Sequence, residues 1–307
     1  MKLHHIRDFV AIAQARSVRA AARNLGLAQP ALTRSLKELE LELGTPLVER
    51  HVRGVTLTPA GLAFMSRAQC AMEELRRGAE EVAQLRGNMT GTVAVGLSSA
   101  AWLAFMPQAY PAFRKAFPDI GLHLQEGLFP MLEPRLRNGS LDFIVGPRPF
   151  EPMGEGYRAE LLLKNDLVVV GGRGHSHAHV DDLRQLVDAE WLLSGVRLKA
   201  ETELQDLFDS HGLPLPRATT RVDSLIGLAV LLATTDAVAL MPRQWLDTPS
   251  FTQNICRIPI PDKIAGPDIV QISRVGIPLT PAAEYFSTML KRVAVQLSAR
   301  NKRTDSR

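Results

Sequence analysis

The chain has 307 residues, of which 46% are hydrophobic and 22% charged, a composition that suits two or three globular domains rather than one core. No run of about 18 uncharged apolar residues occurs, so no transmembrane helix is predicted, and the N-terminus lacks the apolar segment of a secretory signal. The two cysteines, Cys70 and Cys256, have no CxxC or metal-ligand spacing. Two isolated thiols favour a reducing, cytoplasmic location over a disulfide framework.

The positive net charge is confined to the N-terminal region. Residues 1–58 contain nine Lys and Arg against five Asp and Glu, whereas the rest of the chain contains 27 of each sign. A local excess of four positive charges is typical of a surface that binds a polyanion. Nucleic acid is therefore the expected partner of this region.

Three short helices are predicted first, with a sharp break before the third. The first covers residues 4–15, and the second begins after Ser17, a good N-cap, and ends at Gly26. Pro30 suits the first turn of the third helix, where a missing N–H costs nothing. An apolar stripe along that helix is expected at Leu32, Leu36, Leu39 and Leu43.

A small hairpin and a long helix follow. Gly44 ends the third helix, and residues 46–58 predict two extended segments around a turn at Gly54, which completes a helix-turn-helix with a basic wing. Thr58 caps a helix that continues to about residue 85. Its apolar positions are spaced three and four apart, a narrow seam that favours pairing with a second copy of the chain: Met65, Ala68, Met72, Leu75, Ala79 and Val82.

Beyond residue 91 the sequence alternates between strand and helix patterns. Strands are predicted at 92–97, 121–126, 141–145, 160–171, 191–194, 218–222, 237–240 and 268–274. Helices are predicted at 99–116, 130–138, 181–187, 200–211, 224–234 and 280–299. This alternation indicates α/β layers with largely parallel sheets, and about 210 residues suit two lobes rather than one.

These elements together resemble the LysR-type transcriptional regulators. The most specific match is "SVRAAARNLGLAQPALTRSLKELELELGTPLVERHVRGVTLTPAG" (17–61), and "RNGSLDFIVG", "NDLVVVGGRGH" and "IPLTPAAEYFSTML" follow in the family's order. The resemblance implies an all-α winged helix-turn-helix at 1–58, a linker helix at 59–88 and a two-lobed regulatory domain like a periplasmic binding protein at 89–303. Sublobe I would comprise about 91–161 and 269–303, and sublobe II about 162–268.

The resemblance also implies partners. The chain would cross between the sublobes near 161–165 and return near 266–269, enclosing a small anionic effector, without a cofactor or metal. Double-stranded promoter DNA, a homodimer formed through the linker helix, a homotetramer and RNA polymerase are the other expected partners, with no membrane. One departure is Ala28, where the family often has a capping Ser; losing a cap costs about 1 kcal/mol.

The third helix is the expected DNA-reading element. Side chains of its first turns would reach base edges, Gln29 suiting adenine and Arg34 suiting guanine, while the wing and a helix start would meet phosphates. The alternative is that Arg34 and Lys37 are surface charges paired with Glu38 and Glu40. The predicted DNA-binding residues are Ser17, Gln29, Pro30, Ala31, Thr33, Arg34, Lys37, Arg50 and Arg53.

The effector is expected at strand ends next to helix N-termini, which favour an anionic group. The apolar residues Phe129, Met131, Val196 and Met241 would supply the walls, which favours a hydrophobic or aromatic organic anion. Arg148, Arg197 and Arg243 are possible charge partners, and packing at the edge of the core is the alternative role for the apolar positions. The predicted effector-binding residues are Ser98, Ser99, Phe129, Pro130, Met131, Pro147, Ser194, Val196, Ser224, Met241 and Pro242.

Two other functions, an enzyme and an architectural DNA-binding protein, fit the sequence less well. An enzyme is disfavoured because "GLSSA" lacks the last Gly of a nucleophile elbow and no GxGxxG follows a strand. An architectural DNA-binding protein without an effector would have little use for two α/β lobes. His175, His177 and His179 lie in a segment of turn composition, so no metal site is expected there.

Overall fold

The computed structural model describes residues 1–51, 54–194, 197–217, 220–261 and 263–304. The chain divides into two compact units, residues 1–90 with 134–141, and residues 91–133 with the chain from 142 onward. Residues 134–141 join the first unit, where the Arg77 guanidinium donates to the Gly139 carbonyl. Within the described ranges, no helix has the length and apolar character needed to cross a membrane.

The first unit begins with the three predicted helices, α1 (Leu3–Ala15), α2 (Val18–Leu25) and α3 (Gln29–Leu43). Gly26 ends α2 with a left-handed φ of 65°, and Pro30 lies in the first turn of α3. Phe9 and Ile12 of α1 pack with Leu32, Leu36 and Leu39 in a common core. Leu43 is 39% exposed, so the predicted stripe is wrong at its last position, which belongs to the final turn before Gly44.

The wing consists of β1 (Val48–His51) and β2 (Gly54–Leu57), paired antiparallel. Strand β2 is attached to the α1–α2 connection, because the Val55 N–H donates to the Arg16 carbonyl over 2.9 Å. A Cβ added at Gly54, whose φ is 134°, would lie 2.5 Å from that same oxygen. Only glycine therefore fits at this turn, as its position in the hairpin predicted.

Helix α4 (Pro59–Leu85) is capped by Thr58, whose hydroxyl accepts from the Gly61 N–H over 2.9 Å. Its first half covers the core of the first unit, with Ala68 buried there. In its second half Leu75 and Val82 are 55% and 57% exposed. The predicted seam thus has two parts, one covered by the chain itself and one open.

The second unit contains eleven of the strands found in the described chain. They are β3 (Thr92–Leu97), β4 (Gly121–Glu126), β5 (Phe143–Pro147), β6 (Tyr157–Leu163), β7 (Asp166–Gly172), β8 (Trp191–Ser194), β9 (Thr220–Val222), β10 (Val238–Pro242), β11 (Ile255–Arg257), β12 (Ile264–Ala265) and β13 (Ile269–Arg274). The helices along this part of the chain are α5 (Ser99–Ala116), α6 (Phe129–Arg137), α7 (Arg197–Asp209), α8 (Leu225–Thr234), α9 (Pro249–Thr252) and α10 (Pro281–Thr304). Short 3-10 helices span Leu183–Leu186, where an α-helix was predicted, and Arg243–Asp247.

The strands form two mixed sheets, ordered β4-β3-β5-β13-β6 and β11-β7-β10-β8-β9, with β12 beside β7. In each sheet three neighbouring strands pair in parallel, β4-β3-β5 in one and β10-β8-β9 in the other, and the remaining pairs are antiparallel. The prediction of largely parallel sheets is therefore half right. Strands β6, β7 and β13 pair antiparallel with their neighbours and adjoin the two short connections between the sheets. These connections contain no crossover helix of the kind that joins parallel strands.

The single strand predicted at 160–171 is two strands in different sheets, β6 and β7. Lys164 and Asn165 form the first connection between the sheets, and residues 266–268 form the return. The two connections lie side by side, because Lys164 forms an ion pair with Asp268 at 2.9 Å and the Gly266 N–H donates to the Asn165 carbonyl at 2.9 Å. The break falls at the polar residues Lys164, Asn165 and Asp166 between two apolar runs, and it agrees with the crossing expected near 161–165.

Candidate nucleic-acid interface and ligand cleft

Helix α3 buries its leucines and turns its polar side outward. Gln29, Pro30, Ala31, Arg34 and Lys37 are exposed, and Thr33 is half-buried. The N-cap residue, Ala28, makes no side-chain hydrogen bond to the helix. The first turn therefore presents backbone N–H groups and short side chains on an open surface.

The basic side chains of this face lack acidic partners. Within the described parts of the chain, no carboxylate forms an ion pair with Arg34 or Lys37. Glu38, which could pair with Arg34 one turn away, instead has its Oε2 3.1 Å from Nε2 of His5 on α1. His5 is 2% exposed, and its ring nitrogens have no hydrogen-bond partner, so this close contact lacks the geometry of a hydrogen bond.

The other acids of α3 are also engaged away from the basic face. Glu40 Oε1 accepts from the N–H groups of Leu47 and Val48 at 2.8 and 3.2 Å, which anchors the start of the wing. Glu42 lies 2.9 Å from the Met1 ammonium, and this hydrogen bond lowers the pKa of its carboxyl. The expected alternative, in which Glu38 and Glu40 neutralise the basic residues, does not occur.

The remaining predicted DNA-binding residues lie at the helix start and on the wing. Ser17 caps α2, accepting from the Ala20 N–H at 3.3 Å, so its predicted capping role is confirmed. Arg50 is exposed on β1, opposite Val55 in the hairpin. Arg53 lies outside the described residues.

Residues of both sheets of the second unit enclose a cleft of about 620 Å³. Its size lies within the range of small-molecule sites. Most of the predicted effector-binding residues line it, namely Ser98, Ser99, Met131, Pro147, Ser194, Ser224, Met241 and Pro242. Val196 lies outside the described residues.

Two predicted residues do not belong to the cleft lining. The Phe129 ring packs edge-to-face on Tyr157, with centroids 5.6 Å apart, and is thereby used in packing. Pro130 is exposed in the first turn of α6. Strand-end position alone could not separate these residues from Met131, because successive positions of a helix point in different directions.

Two helix N-termini meet the cleft. The Ser98 hydroxyl caps α5 by accepting from the Ala101 N–H at 3.2 Å, and the Ser224 hydroxyl caps α8 by accepting from the Gly227 N–H at 3.1 Å. The first N–H groups of each helix have no acceptor inside the helix and carry the positive end of its dipole. Each end is therefore suited to a negatively charged group of a ligand.

The charged side chains of the lining differ from those expected. Arg148 and Arg243 are not part of it, the Arg197 side chain lies outside the part of the chain that the structure describes, and the charged residues of the lining are Glu126, Glu203, Arg221 and Asp223. Arg221 forms an ion pair with Glu201 at 2.6 Å, whereas Glu126 and Asp223 have no partner in the described ranges. Their positions at the ends of β4 and β9 were the signal in the sequence that could have found them.

The rest of the cleft wall is largely apolar, with one buried amide. Leu128, Leu167, Leu240 and Trp245 contribute to it. Asn165, 5% exposed at the first inter-sheet connection, also lines the cleft, and its Oδ1 has no hydrogen-bond partner. A buried amide oxygen without a donor is costly, so a donor supplied by a ligand would be favourable.

The histidine segment, residues 175–179, and Cys256 have structural roles next to the β11-β7-β10-β8-β9 sheet. His175 is buried, contacts the Asp236 carbonyl through Nε2 and accepts the His177 N–H at Nδ1 over 2.9 Å. Both ring nitrogens are thus occupied by protein atoms. Burial raises the pKa of the Cys256 thiol, which keeps it protonated and a weak nucleophile at neutral pH.

Both parts of the chain match family models. Residues 3–62 match the model described as bacterial regulatory helix-turn-helix protein, lysR family, and residues 86–295 match the LysR substrate binding domain. The second match alone covers more than half of the chain.

Similar proteins and structures agree with these matches. The transcriptional regulator TdcA of Escherichia coli (strain K12) is 25% identical over 298 residues, 97% of this chain and 90% of TdcA. BudR of Raoultella terrigena is 33% identical over 195 residues, 62% of this chain and 66% of BudR. The structure of CbnR, a LysR family transcriptional regulator, has a TM-score of 0.69 at 24% identity, covering 96% of this chain and 99% of CbnR. Full-length OxyR of Pseudomonas aeruginosa has a TM-score of 0.69 at 23% identity, covering 95% of each chain.

Proposed function

The chain belongs to the LysR family of DNA-binding transcriptional regulators with an effector-binding domain, and we propose that it reads DNA through α3 and senses a small organic anion in the cleft. Its relatives are transcriptional regulators rather than enzymes. The domain limits that we assign are 1–58 for DNA binding, 59–88 for the linker and 89–303 for effector binding.

The DNA-binding proposal rests on one observation, the exposed and unpaired Arg34 and Lys37 on α3. Arg34 is assigned to a guanine and Lys37 to a base or phosphate, because both project from the first turns of a helix that can enter a major groove. The other assigned residues are Ser17, Gln29, Pro30, Ala31, Thr33, Arg50 and Arg53.

In vitro selection from random duplexes with the purified full-length protein tests this proposal. We expect a defined sequence to be enriched, and binding of that duplex to fall steeply with salt because phosphate contacts release counterions. Selection of no common sequence would contradict a base-reading role for α3.

The proposed homodimer forms through the second half of α4, where Leu75 and Val82 are exposed. Exposed leucine and valine at coiled-coil spacing favour a partner helix of the same kind. Replacing both with Glu should dissociate the dimer in sedimentation measurements, whereas Arg67→Glu, at an exposed position outside the seam, should not. A homotetramer, contact with RNA polymerase and a cytoplasmic location complete this proposal.

The effector proposal rests on the two serine-capped helix N-termini in the cleft. A hydrophobic or aromatic acid would place its anionic group at one of them and its apolar part against Leu128, Met131 and Trp245. Its contacts are assigned to Ser98, Ser99, Met131, Pro147, Ser194, Ser224, Met241 and Pro242, whereas Val196 stays a prediction from the sequence.

A panel of organic acids separates this function from an architectural protein without an effector. A bound acid should raise the melting temperature of the full-length protein by an amount that grows with the logarithm of its concentration divided by its dissociation constant. If no acid raises it, the effector proposal fails while the DNA-binding proposal stands.

A further inference from the structure

We propose that the effector of this cleft is zwitterionic, an amino acid with an apolar side chain or a close analogue, rather than a simple anion. This inference rests on the proposed effector role of the cleft. It adds a second charged group to the ligand, an ammonium, and assigns that group to Glu126 and Asp223.

The cleft contains two acidic side chains without partners among the described residues. Glu126 and Asp223 both line it, and neither has an ion pair or hydrogen bond to the described chain. The one arginine of the described lining, Arg221, is paired with Glu201 through Nη2, whereas its Nη1 is buried without a hydrogen-bond partner. Among the described residues the cleft therefore offers two carboxylates that an ammonium complements and one guanidinium N–H that a carboxylate complements.

Glu126 lies beside a helix N-terminus. Glu126 is the register partner of Leu97 in the parallel pair of β3 and β4, and Leu97 directly precedes Ser98, the cap of α5. Neighbouring strands lie about 4.8 Å apart. A site for an ammonium and a site for a carboxylate are thus adjacent, as they must be for two groups carried on one carbon atom.

The second sheet repeats this arrangement. Asp223 directly precedes Ser224, the cap of α8, and both line the same cleft. Each half of the cleft therefore combines an unpaired carboxylate with a capped helix N-terminus. A ligand with both charges fits either half.

A third acceptor comes from the buried amide. Asn165 Oδ1 has no donor, although the side chain is 5% exposed and lines the cleft. A ligand N–H would satisfy this oxygen, whereas a carboxylate would not. The apolar wall, including Leu128, Met131 and Trp245, accounts for an apolar side chain on the ligand.

A simple anion is a poorer complement. Bound at the N-terminus of α5 or α8, it would lie near Glu126 or Asp223, and although it could accept from Arg221 Nη1 it would leave both carboxylates and Asn165 Oδ1 without a donor. The ammonium of a zwitterion supplies such donors and gains charge-assisted hydrogen bonds.

The test compares matched compounds on the full-length protein by thermal shift and calorimetry. The probes are the standard L-amino acids together with the deaminated and decarboxylated forms of the apolar ones, such as phenylalanine, 3-phenylpropanoate and 2-phenylethylamine. We expect at least one apolar amino acid to raise the melting temperature by about 3 °C or more, and neither of its one-charge analogues to do so.

Variants identify the site. Glu126→Gln or Asp223→Asn should weaken binding of that amino acid by about tenfold, whereas Glu155→Gln, an exposed acid outside the cleft lining, should leave it unchanged. Equal binding of the deaminated acid, or full affinity in both cleft variants, would overturn the zwitterion while leaving an anionic effector in place. If neither amino acids nor organic acids bind, both this inference and the effector proposal fail, and the DNA selection is unaffected.

Discussion

The surface of α3 and the cleft of the second unit leave opposite charges without partners. On α3, Glu38 and Glu40 are held by His5 and by the backbone of the wing, so Arg34 and Lys37 remain available. In the cleft, Glu126 and Asp223 have no partner in the described chain, whereas Arg221 is paired with Glu201 through Nη2 and keeps only its Nη1 without a partner.

The comparison shows that composition alone does not identify which charged groups a site leaves free to bind a ligand. Residues 1–58 carry acids as well as bases, and the rest of the chain is balanced. What matters is which charges the fold already satisfies, because only an unsatisfied group gains fully from a ligand. Substitutions in both units test this explanation.

The largest effect is expected from Gly61→Ala in α4. An added Cβ would lie 1.9 Å from the Leu47 carbonyl oxygen, so the start of the long helix and the wing must separate. We expect a loss of about 3 kcal/mol or more in the stability of the first unit and loss of DNA binding, with ligand binding in the cleft retained.

Hydrogen exchange resolved along the chain measures this effect, and Gly78→Ala provides the control. Gly78 lies in the same helix with no atom within 4 Å of an added Cβ, so its replacement should stabilise the helix by about 0.5–1 kcal/mol. Equal protection of residues 1–85 in Gly61→Ala and wild type would refute the clash.

Arg34→Gln tests the basic side of the contrast. Removing a bidentate contact to a base should cost about 1–3 kcal/mol in binding of the selected duplex and relax preference at one position. Lys37→Gln should weaken all sequences more evenly if it meets phosphate. Fluorescence anisotropy across salt concentrations measures both, with Lys115→Gln on α5 as the control.

The assignment of Arg34 fails if Arg34→Gln binds the selected duplex as tightly as wild type. A linked test is His5→Leu, which would release Glu38. It should weaken binding about twofold if Glu38 then pairs with Arg34, and Glu38→Gln added to His5→Leu should restore it.

Ser98→Ala tests the cleft side. Loss of the hydroxyl that accepts from the Ala101 N–H should cost about 1 kcal/mol of stability and weaken ligand binding, without changing DNA affinity. Ser99→Ala, one residue later and not a cap, should cost less than about 0.5 kcal/mol. Chemical denaturation compares them, and equal losses would remove the special role of the cap.

Ala28→Ser should have the smallest effect. The N-cap of α3 lacks a side-chain hydrogen bond, and a hydroxyl there should add about 0.5–1 kcal/mol to the stability of the first unit. Repeating the DNA selection with this variant should return the same sequence. A changed sequence would show that position 28 itself takes part in reading DNA.

Much of the first unit could be predicted from the sequence. Local signals determine its elements: Ser17 and Thr58 cap helices, Gly26 and Gly44 end them in the left-handed conformation, and Gly54 forms the wing turn. Such signals act over a few residues, so they can be recognised in the sequence without knowledge of the fold. The prediction erred at Leu43, where burial depends on which neighbours reach the last turn.

In the second unit the strand and helix order was predictable, but sheet membership was not. The single strand predicted at 160–171 joined two strands of different sheets, because the apolar runs on either side of the polar residues Lys164, Asn165 and Asp166 both suit a strand and do not show which sheet each one joins. The short strands β11 and β12 also carry too few residues for a periodic signal.

The sequence by itself determined the order of helices and strands, the confinement of positive charge to residues 1–58 and the helix N-termini at Ser98 and Ser224, because each depends on residue type and local spacing. Only the tertiary structure decided that Glu38 and Glu40 turn away from Arg34 and Lys37, and that Glu126 and Asp223 share one cleft without partners. The physical reason is that pairing of charges is set by distance in space, and the partners here come from elements far apart in the chain.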